Sequence, residues 1–150
     1  MKICIITAMW KRPHVWNMFK RGVERLREIE GLEVVVSVTG SERDRSKALC
    51  REDWIIYTEF PNNPLGAKMN QAAIQSKQTN ADYYLLLGSD DVVGTDLMKL
   101  YLKYIEQGYD YIYLLDCYFY DIQRKCGLYW GGYRMKHNYA HPLDRDWETI

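Results

Sequence analysis

Hydrophobic and polar positions alternate along this chain in blocks that predict strands and helices in turn. Residues 2–8 form an apolar run typical of a buried strand. After Pro13, apolar residues recur every three or four positions, which predicts an amphipathic helix with the apolar stripe Val15, Phe19, Val23, Leu26 and Ile29. Further strands are predicted over 32–38, 54–60, 83–88 and 109–120, and further helices around 45–49 and over 67–77 and 96–107. Strands that alternate with helices predict an α/β fold with a single doubly wound, mostly parallel sheet flanked by helices.

The last third of the chain has a different pattern, because there one strand-like segment follows another. Aromatic residues are frequent in this part, and 109–120 is expected to form a hairpin with 127–134. We therefore predict a short antiparallel C-terminal extension of the sheet.

Two adjacent carboxylates, Asp90 and Asp91, follow the predicted strand over 83–88. Ionised carboxylates are costly to bury, so both are expected where the strand emerges, at the edge where α/β sheets bind ligands. A divalent cation such as Mn²⁺ or Mg²⁺ would relieve their mutual repulsion, which predicts a metal-diphosphate site. The alternatives are that Asp90 caps a helix beginning near Thr95, or that both residues lie in a solvated turn.

A second candidate for diphosphate binding is the start of the predicted helix over 67–77. Gly66 would let the backbone turn closely there, and Lys68, expected on the exposed first turn, would add a positive charge where free N–H groups favour an anion. The alternative is a loop glycine beside a solvated lysine.

Charge and hydropathy exclude several classes of partner. Twenty basic residues balance twenty acidic ones, so we expect no binding to nucleic acid. No apolar run is long enough for a signal segment or an integral membrane segment, which predicts a cytoplasmic protein. The spacing of the four cysteines does not match a zinc site.

Three segments resemble the family 2 glycosyltransferases, which have the glycosyltransferase A fold. They are Thr7-Ala8-Met9-Trp10-Lys11-Arg12, the loop-helix stretch from Asn62 to Ala72, and Leu86-Leu87-Gly88-Ser89-Asp90-Asp91, which is similar to the DxD-type metal motif of that family. The resemblance implies that residues 1–93 bind a nucleotide sugar and that 94–150 form the acceptor side. The implied donor-binding residues are Thr7, Ala8, Arg12, Gly66, Lys68, Ser89 and Asp90, and the implied metal ligands are Asp90, Asp91 and His141.

The chain departs from the family pattern at Gly88, where an aspartate that holds the ribose or the metal is common. Ribose recognition would then pass to Ser89 or to backbone groups. The segment 41–44 lies where the family recognises base and ribose, although a charged loop can also be simply solvated.

Inverting transfer needs a general base, and the resemblance implies Asp146 for that role. The alternative for Asp146 is a frayed acidic tail. Trp130, Gly131 and Tyr133 are expected to form an acceptor wall, because aromatic rings stack on sugars, with hairpin packing as the alternative. The alternative for His141, which the resemblance implies as a metal ligand, is a surface histidine.

Together these features predict a metal-dependent, inverting glycosyltransferase that moves a sugar from a nucleotide-diphosphate donor to a carbohydrate or other hydroxyl acceptor. The alternatives are a non-catalytic sugar-nucleotide-binding domain, a fragment of a longer transferase, and a nucleotidyltransferase.

Overall fold

The computed structural model describes residues 1–121, 123–132 and 139–141, the last three by their backbone. Its strands are β1 (Lys2–Ala8), β2 (Glu33–Gly40), β3 (Ile55–Glu59), β4 (Tyr83–Leu86), β5 (Cys117–Asp121), β6 (Cys126–Trp130) and β7 (Tyr139–His141). Its helices are α1 (Pro13–Arg27), α2 (Asp44–Ala48), α3 (Leu65–Ser76) and α4 (Thr95–Glu106), and a 3-10 turn follows α3 at Lys77–Thr79. The chain divides into two compact units, Met1–Lys103 and Tyr104–Ile150.

The first unit contains a parallel sheet of four strands in the order β3-β2-β1-β4. The chain moves outward from β1 through β2 to β3 and then returns to the other side of β1 for β4. The direction of winding therefore reverses between β1 and β4, and sheets of this kind bind ligands beyond the carboxyl ends of the strands at such a switch point. The predicted doubly wound α/β fold is confirmed.

Alternate residues of β2 face the two sides of this sheet. The hydroxyl of Ser37 donates to the carbonyl of Ala72 at 2.7 Å, and that of Thr39 donates to the carbonyl of Lys68 at 3.1 Å, so α3 lies on their face. The valines at 34, 36 and 38 are buried on the opposite side, against α1.

Helix α1 has the amphipathic pattern that the sequence predicts, with Phe19, Val23 and Leu26 buried. Trp16, which the predicted stripe omitted, is also buried; its ring stacks on Phe19 with centroids 4.9 Å apart, and its indole N–H donates to the carbonyl of Leu49 at 2.8 Å. That bond ties α1 to the residue that follows α2.

Strand β4 is shorter than the predicted strand over 83–88, and one of its faces is exposed although the run is apolar. Tyr84 and Leu86 are 48% and 69% exposed. In the described part of the sheet β4 is an edge strand that pairs with β1 alone.

The second unit contains an antiparallel sheet in the order β5-β6-β7. The predicted hairpin between the segments around β5 and β6 is confirmed, but the predicted strand over 109–120 begins only at Cys117. Tyr109, the first residue of the predicted strand, lies just past the end of α4 instead, where its N–H donates to the carbonyl of Tyr104 in that helix. Among the described residues, no helix has the length and apolar character needed to cross a membrane.

Candidate functional site

The loops after β1, β2 and β3 meet at the carboxyl edge of the parallel sheet, and glutamates link them. Glu59, the last residue of β3, accepts the N–H of Arg43 at 3.1 Å, and Glu42 accepts the N–H of Lys11 at 2.7 Å. Lys11 and Arg43 have φ values of 54° and 50°, in the left-handed region that residues other than glycine rarely adopt. By accepting the N–H groups of these two residues, the carboxylates of Glu42 and Glu59 stabilise the unfavourable backbone conformations of the loops.

Arg12 and Asp90 make the corresponding link between the loops after β1 and β4. The guanidinium Nη1 of Arg12 lies 2.8 Å from Oδ2 of Asp90, and the two side chains are 54% and 51% exposed. This ion pair spans the switch point of the sheet. Asp90 does not cap α4, since that helix begins at Thr95 and Gly94 supplies the carbonyl bonded to Met98.

Asp91 closes a tight turn with Gly88. Its Oδ2 accepts the Gly88 N–H at 3.1 Å, and its own N–H donates to the Gly88 carbonyl at 3.1 Å. Partial desolvation and then the charge of Asp90 raise the pKa of Asp91, while the bond from Gly88 opposes the shift. Ionising both Asp90 and Asp91 is therefore unfavourable, and a bound cation would relieve the repulsion between the two carboxylates.

Lys68 is buried, so the prediction that it is an exposed residue of the first helical turn is wrong. Its side chain belongs to the face of α3 that packs on β1 and β2, and the residue is 1% exposed. Its ammonium group donates to the carbonyl of Met9 at 2.6 Å and to Oδ1 of Asn62 at 3.0 Å. Burial lowers the pKa of Lys68, and the nearby charges of Glu59 and Glu42 partly restore it.

Gly66 is the second residue of α3, and a Cβ added there would meet no atom within 4 Å. The predicted need for glycine in a close backbone turn is therefore wrong. Pro64 precedes the helix, and no side chain caps the N–H groups of the first turn. The first turn therefore has open space beside N–H groups that a ligand could bind.

The other predicted donor-binding residues lie at the same sheet edge. Thr7 and Ala8 end β1; Thr7 is fully buried, and its hydroxyl has no hydrogen-bond partner among the described residues. Ser89 is buried between Gly88 and Asp90.

The family model described as glycosyl transferase family 2 matches residues 4–146. The chain belongs to this family. The same comparisons find no match among curated proteins or solved structures. Family membership confirms the resemblance seen in the three sequence segments and supports a role in glycosyl transfer.

Gly88 stands at the position where the resemblance to the family 2 glycosyltransferases led us to expect an aspartate. A Cβ on residue 88 would lie 2.6 Å from Oδ2 of Asp91 and 3.1 Å from Oδ1 of Asp90. An aspartate at this position would displace the carboxylate of Asp91 from its turn. The glycine is thus part of the arrangement that holds the next two aspartates.

Asp90 and Asp91 offer carboxylate oxygens of the kind that a divalent cation binds, and such a cation would take its remaining ligands from elsewhere. The described residues contain no cluster of three or more His, Cys, Asp or Glu side chains suited to a metal. Carboxylate oxygens are the donors that Mg²⁺ and Mn²⁺ prefer, and Mg²⁺ commonly binds through one or two carboxylates together with phosphate oxygens and water. His141, the predicted third ligand, lies in β7, where only the backbone is described.

The predicted acceptor residues belong to the second unit. Trp130 ends β6, with its ring 6.3 Å from that of Phe119 in an edge-to-face contact, and Gly131 follows it. The neighbouring Gly132 has φ 80° and a Cβ there would lie 2.4 Å from the carbonyl oxygen of Leu115, so chain packing requires that glycine. Tyr133 and Asp146 lie outside the described residues.

Sequence reasoning missed Glu59 and the role of Asn62. An acidic residue at the carboxyl end of a predicted strand was the signal available for Glu59, as it was for Asp90. Asn62 lay within the recognised loop-helix segment, but nothing in the sequence pairs it with a buried lysine.

Proposed function

We propose that this chain is a metal-dependent, inverting glycosyltransferase that moves a sugar from a nucleoside-diphosphate donor to a hydroxyl acceptor. The observation that carries the proposal is the meeting of Arg12 and Asp90 at 2.8 Å across the switch point of the sheet. A cationic and an anionic side chain together match a ligand that combines phosphates with a divalent cation.

The donor would lie along the carboxyl edge of the sheet. Its diphosphate would meet Arg12 and the open first turn of α3 near Gly66, where helix geometry favours an anion. Ser89 and the backbone beside it would contact the ribose in place of the aspartate missing at residue 88.

Asp90 and Asp91 would hold the cation. When bound there, Mn²⁺ or Mg²⁺ supplies positive charge that stabilises the leaving diphosphate. The chain itself contributes the fixed loops: Glu59 and Glu42 hold the turns at Arg43 and Lys11, and Lys68 holds the carbonyl of Met9.

The transfer step needs a base on the acceptor side, and we assign this role to Asp146. Its carboxylate would take the proton of the acceptor hydroxyl as that oxygen attacks the anomeric carbon. The bond from the anomeric carbon to the phosphate oxygen breaks, and the nucleoside diphosphate leaves with that electron pair, which inverts the centre. Trp130, Gly131 and Tyr133 would border the acceptor.

A transfer assay with a panel of nucleotide sugars and acceptors tests this function. A general base contributes about a hundredfold to ten-thousandfold in rate, so Asp146→Asn should lose transfer by that factor and keep donor affinity. Asp144→Asn, two residues away, is the matched control and should transfer at the wild-type rate. If the wild-type chain neither transfers nor hydrolyses any donor that it binds tightly, a non-catalytic sugar-nucleotide-binding role replaces the proposal.

A further inference from the structure

We propose that Arg12 exchanges partners during donor binding: it pairs with Asp90 in the free protein and with the donor diphosphate in the complex. This inference deepens the proposed function and rests on it. Its consequence is that binding of the diphosphate increases the affinity for the divalent cation, and binding of the cation increases the affinity for the diphosphate.

Arg12 can change partners because its backbone is held in place while its side chain and that of Asp90 both reach solvent. The carbonyl of Arg12 accepts the N–H of Trp16 at 2.9 Å, which anchors it at the start of α1, and Pro13 follows. The guanidinium and the carboxylate of Asp90 are each about half exposed. Ion pairs with that exposure contribute little net stability, so a better ligand can replace either partner.

Arg12 and a cation compete for the same carboxylate. Nη1 of Arg12 is bonded to Oδ2 of Asp90, so a cation bound by Asp90 lies next to the guanidinium, and the two positive charges repel each other. A diphosphate removes the conflict, since its oxygens accept hydrogen bonds from the guanidinium and also ligate the cation. Each ligand should therefore raise the affinity of the other, as reciprocal linkage requires.

Lys11 offers a matched control for loss of charge. It is adjacent to Arg12, and its ammonium group lies 4.5 Å from the centre of the Trp10 ring, in a cation-π contact. Lys11→Gln removes one positive charge from the same loop without touching the ion pair.

The first test is calorimetric titration of MnCl₂ alone, without nucleotide. Arg12→Gln should bind Mn²⁺ about two- to fivefold more tightly than the wild type, the range expected for release of an exposed ion pair. Lys11→Gln should change the affinity by a smaller factor. Equal gains for the two variants would show a general effect of charge and would overturn the exchange, as would no gain for Arg12→Gln.

The second test is a double-mutant cycle on the binding of inorganic pyrophosphate in EDTA, where no cation contributes. Asp90→Asn should tighten pyrophosphate binding, because it frees Arg12, and this gain should shrink or vanish in the Arg12→Gln background. Asp91→Asn removes the same charge from a residue bonded to Gly88, and its effect should not depend on Arg12.

A gain from Asp90→Asn that persists undiminished in the Arg12→Gln background would overturn the proposal, and so would failure of the wild type to bind pyrophosphate. Neither result decides the proposed function, because the transfer assay with Asp146→Asn measures a different step.

Discussion

The ammonium group of Lys68 donates a 2.6 Å hydrogen bond to the main-chain carbonyl of Met9, which ties α3 to the residue that follows β1. A second bond from the same group, to Asn62 at 3.0 Å, reaches the loop between β3 and α3. Met9 leads directly into the loop that presents Lys11 and Arg12. A buried cation therefore supports the loop whose arginine spans the switch point.

Lys68→Met should destabilise the fold. Methionine fills a similar space but leaves the Met9 carbonyl and the Asn62 amide oxygen without their donor, and an unsatisfied buried polar group costs about 1–3 kcal/mol. We expect the free energy of unfolding, measured by urea denaturation, to fall by about 2 kcal/mol. Donor affinity should also fall, because the loop that carries Arg12 loses its anchor.

Lys77→Met is the control for this substitution. Lys77 follows α3 and is exposed, so its replacement should change the free energy of unfolding by less than about 0.5 kcal/mol. Equal stability losses in the two variants would show that the bonds of Lys68 do not carry the effect.

Gly88→Ala should disturb the turn that holds Asp91. The added methyl group would lie 2.6 Å from Oδ2 of Asp91, so the carboxylate must leave the Gly88 N–H. Donor affinity in Mn²⁺, measured by calorimetry, should fall. At Gly94 a Cβ meets no atom within 4 Å, and Gly94→Ala should bind the donor as the wild type does. Unchanged affinity in Gly88→Ala would mean that this position of the Asp91 carboxylate is not needed.

The raised pKa of Asp91 predicts how stability depends on pH. Between the ordinary value of 3.8 and the higher folded value, the native protein binds more protons at this group than the unfolded chain does. The contribution of Asp91 to the free energy of unfolding must therefore fall as pH rises through that window.

Urea denaturation of the wild type and Asp91→Asn from pH 3.5 to 7 measures this contribution, because asparagine does not titrate. The free energy of unfolding of the wild type, relative to Asp91→Asn, should be highest at the acidic end. A difference that is constant or grows with pH would contradict the raised pKa.

The elements with a strong periodic signal could be predicted from the sequence. Strand β1 was predicted with the bounds that it has, and the apolar stripe of α1 predicted three of its buried residues. The run that ends in Asp90 and Asp91 also located β4, but its exposed face depends on which elements cover the sheet, and no local pattern encodes that.

The burial of Lys68 could not be predicted because the inner face of α3 carries no apolar stripe. Its buried residues are Lys68, Ala72, Gln75 and Ser76. Hydroxyls of β2 satisfy carbonyls of this helix, so its packing depends on hydrogen bonds between distant segments. The Arg12–Asp90 pair joins residues 78 positions apart, and only the strand order brings them together.

The central claim is that Asp90 binds a nucleotide sugar through a divalent cation, and calorimetric titration of wild type and Asp90→Asn tests it most directly. The titration uses a panel of nucleotide sugars, each in saturating Mn²⁺ and in EDTA. We predict that Asp90→Asn weakens donor binding in Mn²⁺ and does not weaken it in EDTA, where the cation is already absent. Equal affinity of wild type and variant in saturating Mn²⁺ would contradict it.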